Sequence, residues 1–85
     1  MKSFSYVIQD QIGIHARPAG QLMKLAATFK SEIQMECKGK KANCKRLFDL
    51  MGLAVKCNDE ITVIIDGDDE DTAITAIKDF CTNIL

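Results

Sequence analysis

One short stretch of the chain carries the side chains best suited to chemistry. Gly13–Ala19 holds the only histidine and the only proline of the sequence, with Arg17 between them. A neutral imidazole can attack phosphorus as a nucleophile, and a guanidinium is a permanent cation with several hydrogen-bond donors. His15 and Arg17 together therefore predict a site that accepts a phosphoryl group and holds its oxygens.

An amphipathic helix is predicted directly after this stretch, from about Ala16 to Thr28. Its apolar residues recur at intervals of three and four, and they are Ala19, Leu22, Met23 and Ala26. Proline fits a helix only in the first turn, where backbone N–H groups have no partner inside the helix. Pro18 therefore places His15 at about the N-cap, beside the backbone amides of Ala16 and Arg17 and the positive end of the helix dipole. A simpler interpretation stays open, because a lone histidine at a helix start is often only a cap or a surface residue.

Length and composition indicate one globular domain, residues 1–85. The chain is 47% hydrophobic and 27% charged, and a formal net charge of −1 gives no overall field that attracts nucleic acid or membranes. No apolar run approaches the roughly 18 residues that span a bilayer. The first residues alternate like a strand and lack the apolar block of a signal peptide. We therefore expect a cytoplasmic protein that neither binds nucleic acid nor inserts into membranes.

Neither the cysteines nor the acidic cluster near the last helix predicts a metal centre. The four cysteines are Cys37, Cys44, Cys57 and Cys81. They form no Cys-x-x-Cys pair and only one histidine is available, so no zinc site is expected. We interpret them mainly as small buried hydrophobes, with a redox role as the lesser alternative. The acidic cluster Asp66–Asp71 lacks the ligand spacing of a calcium loop and is better explained by helix capping, with Asp69 as the N-cap. No metal and no cofactor is expected.

The remaining segments show strand and helix patterns in turn. Strands are predicted where every second residue is apolar, and the apolar sets are Phe4, Tyr6 and Ile8; Ile33, Met35 and Cys37; Ala42 and Cys44; and Ile61, Val63 and Ile65. The fourth strand is the most apolar and is expected in the centre of the sheet. The buried stripe of the last helix is predicted to be Ala73, Ile74, Ile77, Phe80 or Cys81, and Ile84. The order strand, helix, strand, strand, short helix, strand, helix predicts an α+β open-faced sandwich, an antiparallel sheet with helices on one side.

The segment between the third and fourth strands is apolar on more than one side. Leu50 and Leu53 are expected to face the core, which leaves Leu47, Phe48 and Met51 partly exposed. Large exposed apolar side chains in so small a domain suggest a docking surface. The alternative is that all of them belong to the core.

Over essentially its whole length the chain resembles the HPr family, the histidine-containing phosphocarriers of the bacterial phosphoenolpyruvate:sugar phosphotransferase system. The residues that carry the resemblance are Gly13–Ala19, Asn43–Phe48 with Leu53, Glu60–Thr62 and Gly67. The resemblance implies a four-stranded antiparallel sheet with three helices on one face. It also implies that His15 accepts a phosphoryl group on Nδ1 from phosphorylated Enzyme I, itself charged by phosphoenolpyruvate. His15 would then pass the group to sugar-specific EIIA components, with Arg17 and the helix-start amides around the phosphate.

The same resemblance implies a surface beside His15 on which partner proteins dock. Its apolar part would be Gly20, Leu47, Phe48 and Met51, and its basic rim would be Arg17, Lys24, Lys45 and Arg46. The absent side chain of Gly20 would let a partner approach, although tight internal packing explains this glycine equally well. Such a carrier is the substrate of two enzymes in turn rather than a stand-alone enzyme, and we expect it to act as a monomer.

Three positions depart from the family pattern. Arg46 stands where many relatives carry a regulatory serine, so no seryl phosphate is expected there. The arginine suggests charge recognition instead, because a cation at a helix start is mildly unfavourable for the dipole. Ile12 replaces a residue that is often polar, and Ala54 replaces a glycine that often ends the short helix. The first change leaves open how His15 is held, and the second leaves open how that helix is capped.

Two alternative functions accompany the phosphocarrier hypothesis. A specialised paralogue, such as a nitrogen-related or dihydroxyacetone-system carrier, would use the same chemistry with other partners. A regulatory docking module would bind partners without phosphorylation of its histidine. Intact His15, Arg17 and Pro18 disfavour the docking module, since binding alone needs no nucleophile.

Overall fold

The fold is built from four strands and three helices in the predicted order. The structure, a computed structural model, describes residues 1–85, and its elements are β1 (Lys2–Val7), α1 (Ala16–Ala27), β2 (Glu32–Cys37), β3 (Lys40–Asn43), α2 (Leu47–Gly52), β4 (Glu60–Asp66) and α3 (Glu70–Ile84). The strands form one antiparallel sheet in the order β1-β4-β2-β3. The predicted α+β open-faced sandwich is therefore confirmed.

β4 lies inside the sheet, as its apolar sequence predicted. It pairs with β1 on one side, where Phe4 lies opposite Val63, and with β2 on the other, where Met35 lies opposite Val63. Ile61, Val63 and Ile65 are fully buried. Successive strand residues point to opposite faces of a sheet, so these three side chains share one face. That face packs against the helices, and the other face is more exposed.

The start of α1 agrees with the position predicted from Pro18. Ala16 is the first helical residue, so Pro18 lies in the first turn as predicted. The helix ends at Ala27, one residue before the predicted end. Thr28 forms the C-cap, and its hydroxyl donates to the Leu25 carbonyl at 2.7 Å. The buried residues of the helix are Pro18, Ala19, Leu22 and Ala26.

The buried stripe of α3 differs from the prediction near its end. Cys81 is fully buried, whereas Ile84 leaves 42% of its surface exposed and Phe80 is only partly buried. The prediction that Ile84 belongs to the buried stripe is therefore wrong. The fully or nearly buried residues follow at intervals of four and are Ala73, Ile77, Cys81 and Leu85. Four residues are slightly more than one helical turn, so this stripe drifts around the helix and leaves Ile84 on the solvent side.

Asp69 occupies the predicted N-cap position of α3, but its carboxylate does not cap that helix. It accepts hydrogen bonds from the Ser31 hydroxyl and from the backbone N–H groups of Lys30 at 2.8 Å and Ser31 at 2.9 Å. The hydroxyl of Ser31, and then the N–H of Lys30, lower the pKa of Asp69 to about 2. Asp69 therefore connects the start of α3 to the loop before β2.

We expect this connection to make stability depend on pH in the acid range. The pKa of Asp69 falls from its ordinary value of 3.8 to about 2 on folding, so its contribution is complete above about pH 4 and is lost as the pH falls towards 2. Asp69→Asn should therefore unfold at a lower urea concentration than the wild type at neutral pH, and the difference should shrink between about pH 4 and pH 2. Urea titrations followed by circular dichroism measure it. A difference that stays constant down to the lowest pH would contradict the expectation.

α2 ends on a residue in the left-handed conformation. Gly52 is its last residue, Leu53 is the C-cap, and Ala54 follows with a φ of +52°. The N–H of Ala54 donates to the Met51 carbonyl at 3.1 Å. Glycine is favoured at this position because a Cβ approaches the following carbonyl oxygen, at a cost of roughly 1–2 kcal/mol. The alanine therefore does not lengthen the helix but carries backbone strain at its end.

Ala54→Gly is expected to raise the free energy of unfolding by about 0.5–1 kcal/mol. The relief of the left-handed strain is partly offset, because glycine also gains freedom in the unfolded chain. Ala76→Gly, in the right-handed interior of α3, is the matched control and should lose about 1 kcal/mol. Urea unfolding of both variants measures the two changes, and a loss of stability in Ala54→Gly would show that this φ carries no strain.

Candidate functional site

His15 is the N-cap residue of α1, as the position of the proline predicted. Its backbone is extended, with φ −121° and ψ −175°, and its carbonyl accepts a hydrogen bond from the Ala19 N–H at 3.0 Å. The imidazole makes no capping hydrogen bond and is only partly buried. The ring nitrogens are therefore not committed to holding the fold together.

Two backbone amides next to this residue have no hydrogen-bond partner. They belong to Ala16 and Arg17, the first two residues of α1, and Pro18 contributes no N–H. The first turn contains no acidic side chain that would neutralise the positive end of the helix dipole. Unpaired amides at a helix start bind anions, so this end of α1 can hold phosphoryl oxygens.

A shallow depression opens beside the imidazole. Its volume is about 360 Å³, and the residues that line it are Asp10, His15, Arg17, Pro18, Gln21 and Ile84. The side chain of Arg17 is exposed and forms no ion pair with an acidic side chain. Its guanidinium is therefore available to an anion that enters the depression.

The loop before His15 is held against the segment that follows α2. The N–H of Ile14 donates to the Val55 carbonyl at 3.0 Å. Gly13 has a φ of +81°, and an added Cβ would lie 2.3 Å from the same carbonyl oxygen. Only glycine fits so close an approach in this conformation. Ile12 precedes it with 69% of its surface exposed, and its N–H donates to the Asp10 carboxylate at 2.9 Å.

The apolar residues proposed for docking lie on α1 and α2, which contact each other. Phe48 is 84% exposed and Met51 is 39% exposed, while Leu47 is partly buried against the core. The alternative that all of them belong to the core is therefore wrong. An added Cβ at Gly20 would meet no atom within 4 Å, so tight packing does not explain this glycine.

The basic residues proposed for the rim have different surroundings. Lys24 and Arg46 are exposed, and Arg46 is the N-cap residue of α2. Lys45 is partly buried, and its ammonium donates to the Phe29 carbonyl at 2.8 Å. Phe29 follows the end of α1, where the helix dipole favours a positive charge. Lys45 therefore stabilises that helix end, and its charge is less free to meet a partner than those of the other three.

Three residues of the depression were missed by the sequence analysis, and they are Asp10, Gln21 and Ile84. Gln21 could have been found, since it follows Arg17 by four residues and so lies on the same face of α1. Ile84 was hidden by its apolar character, which predicted burial. Asp10 lies in a loop, where no periodicity indicates which way a side chain points.

The side chains of the cysteines and acids offer little other chemistry. Three cysteines are buried, Cys57 is partly buried, and all four thiols are free. Burial raises the pKa of Cys44 and of Cys81 to about 12, which keeps these thiols protonated and poorly reactive.

No three histidine, cysteine, aspartate or glutamate side chains are grouped so that they could hold a metal ion. None of the helices combines the length and the apolar character needed to cross a bilayer.

Comparisons with known proteins agree on one family. Residues 2–83 match the family model described as the PTS HPr component phosphorylation site. The phosphocarrier protein HPr of Mycoplasma genitalium is 47% identical over 79 residues, which cover 92% of this chain and 90% of that protein. The solved structure of a mycoplasma histidine-containing phosphocarrier protein has a TM-score of 0.91 at 43% identity and covers 93% of this chain and 90% of its own. A structure described as an HPr dimer from Thermoanaerobacter tengcongensis has a TM-score of 0.77 at 35% identity, covering 98% and 95% of the two chains.

Proposed function

The chain belongs to the HPr family of phosphocarriers of the phosphotransferase system, and from this membership we propose that His15 accepts a phosphoryl group from phosphorylated Enzyme I. The group originates from phosphoenolpyruvate. His15 then passes it to sugar-specific EIIA components in support of sugar uptake. The protein is thus a substrate of two enzymes in turn.

The observation that best supports this proposal is an uncommitted imidazole at a helix start with two unpaired amides. In the forward step the lone pair of a neutral ring nitrogen attacks phosphorus, and the bond from phosphorus to the donor breaks with its electron pair going to the donor. The proton released from the other ring nitrogen balances the charge that the donor gains. The amides of Ala16 and Arg17 and the guanidinium of Arg17 hold the phosphoryl oxygens as their charge redistributes. No further covalent chemistry is required of the protein.

The surface beside His15 suits the brief encounters that a carrier needs. Phe48 and Met51 offer exposed apolar area, and Gly20 leaves open space for an approaching surface. Arg17, Lys24 and Arg46 supply charges that attract acidic partners, although the net charge of the chain is only −1. We place the protein in the cytoplasm, and we expect it to be a monomer. Sedimentation velocity distinguishes a monomer from a dimer like the one described for HPr from Thermoanaerobacter tengcongensis.

The side chain at position 46 argues against one form of regulation, phosphorylation of a serine at the start of α2. A serine-directed kinase has no hydroxyl to modify at Arg46. An exposed guanidinium at the N-cap of α2 instead supports recognition of acidic partners.

Incubation with Enzyme I and phosphoenolpyruvate tests the proposal. We expect the protein to gain one phosphate that is labile in acid and stable in alkali, as a phosphohistidine is, and to lose it when an EIIA protein is added. A protein that binds Enzyme I without gaining phosphate would instead be a docking module. Transfer only to nitrogen-related or dihydroxyacetone-system acceptors would identify a specialised paralogue.

A further inference from the structure

We propose that Asp10 keeps the phosphoryl group on His15 easy to give away, because its carboxylate repels the dianion from the wall of the same depression. This inference rests on the proposed phosphocarrier function and deepens it. A carrier must release what it accepts, so a site that only stabilises the bound phosphate would hold it too firmly. A nearby negative charge counteracts the amides and the guanidinium.

The position of Asp10 is well defined by hydrogen bonds on both sides of the residue. Its N–H donates to the Leu85 carbonyl at 2.8 Å, and its own carbonyl accepts from the Gly13 N–H at 3.0 Å. One carboxylate oxygen accepts from the Ile12 N–H at 2.9 Å. The side chain is also partly buried. The backbone bonds therefore fix the loop at residue 10, and the bond from Ile12 orients the carboxylate.

The charge of this carboxylate is not neutralised by a cation. Asp10 takes part in none of the ion pairs of the protein, and Arg17, which lines the same depression, is not bonded to it. Arg17 therefore remains available to the phosphoryl oxygens. Asp10 therefore contributes a carboxylate without a cationic partner to the wall of the depression.

The size of the depression keeps the two negative groups within electrostatic reach. Asp10 and His15 line one depression of about 360 Å³, and the Debye length at physiological ionic strength is roughly 8 Å. Salt therefore screens the repulsion only in part. Because the site is open to solvent, the effect is modest, and we expect about a two- to fivefold shift in the phosphorylation equilibrium.

The test variant is Asp10→Asn, which removes the charge but retains an oxygen that can accept the Ile12 N–H. The matched control is Asp68→Asn, which removes the same charge from an exposed residue without a hydrogen bond or ion pair. Asp68 lies before the first residue of α3, while Ile84 at the last residue lines the depression. The 15 residues of α3 place its first residue about 22 Å from its last. Asp68 is therefore far from the depression, and its charge should not affect a phosphate there.

In a competition experiment, isotope-labelled wild type and an equal amount of unlabelled variant share a limiting supply of phosphoryl groups through catalytic Enzyme I. Mass spectrometry then measures how the groups are divided. We expect two- to fivefold more phosphate on Asp10→Asn than on the wild type, a preference that weakens as salt is added. Asp68→Asn should share equally. An equal division for Asp10→Asn as well would overturn the inference and leave Asp10 a turn residue only.

A second arm separates this inference from the proposed function. Phosphoramidate donates to histidine without a protein partner: a ring nitrogen attacks phosphorus, the phosphorus–nitrogen bond of the donor breaks, and ammonia leaves with the ring proton as ammonium. Water then releases inorganic phosphate from the ring. We expect this hydrolysis to be two- to fivefold slower in Asp10→Asn than in the wild type and in Asp68→Asn. If Enzyme I fails to donate but these rates differ, the proposed partner is wrong and the inference stands; equal rates overturn the inference alone.

Discussion

Replacement of His15 by alanine is expected to abolish phosphoryl transfer while leaving the fold intact. The imidazole is the proposed nucleophile and His15 is the only histidine of the chain, so incorporation of acid-labile phosphate should fall by at least about a thousandfold. The ring makes no capping hydrogen bond and is only partly buried, so the stability of the variant should stay within about 0.5 kcal/mol of the wild type. Mass spectrometry after incubation with Enzyme I and phosphoenolpyruvate measures the first effect, and urea unfolding measures the second.

Gln21→Ala provides the control for this experiment. Gln21 lines the same depression but is not a nucleophile, so its removal should leave one acid-labile phosphate per molecule. If His15→Ala still gained that phosphate, the nucleophile would lie elsewhere. If His15→Ala lost its fold, the loss of phosphate would say nothing about chemistry, and His15→Gln would replace it as a variant closer in size.

The largest effect on stability is expected from Gly13→Ala. At this position the added Cβ would lie 2.3 Å from the Val55 carbonyl oxygen and 2.7 Å from the Lys56 Cα, both of them backbone atoms that cannot rotate away. The residue would also keep a φ of +81°. Strain and collision together should reduce the free energy of unfolding by roughly 2–5 kcal/mol.

Gly39→Ala separates the two contributions. Gly39 has nearly the same φ, +80°, but an added Cβ there meets no atom within 4 Å. The free energy of unfolding of Gly39→Ala should therefore fall only by the cost of the left-handed conformation, about 1–2 kcal/mol. Urea titrations of both variants compare the losses, and equal losses would show that the approach of the His15 loop to Val55 adds nothing.

The rate of phosphorylation provides a second measurement on Gly13→Ala and Gly39→Ala. Gly13 precedes the residue whose N–H bonds to Val55, so a displaced loop should also displace His15 and slow its phosphorylation. Gly39 lies in the turn between β2 and β3, and its variant should be phosphorylated at the wild-type rate.

Most of the architecture was predictable because it follows from local rules. The alternation around Ile61, Val63 and Ile65 placed β4 in the sheet interior, where the structure has it. Pro18 must lie in the first turn of α1, which fixes the start of the helix to within a few residues and predicts His15 as its N-cap. Such rules involve residues only a few positions apart, so the sequence contains the information directly.

The remaining features join residues that are far apart in the chain. The position of Asp69 predicted an N-cap, yet its carboxylate bonds to Ser31, 38 residues earlier. Lys45 was expected on a docking rim, yet its ammonium bonds to Phe29 at the end of another helix. A polar group takes whichever partner the packed segments bring within reach, and local spacing does not reveal that partner.

By itself the sequence determined the strand and helix order and the position of His15 at a helix start, because periodicity, proline geometry and capping act within a few residues. Only the tertiary structure decided that Asp10 and Ile84 share a depression with His15, and that Gly13 lies against Val55. The physical reason is that burial of the apolar faces, summed over the whole chain, sets how the helices lie on the sheet. The distant loops then meet where that packing places them.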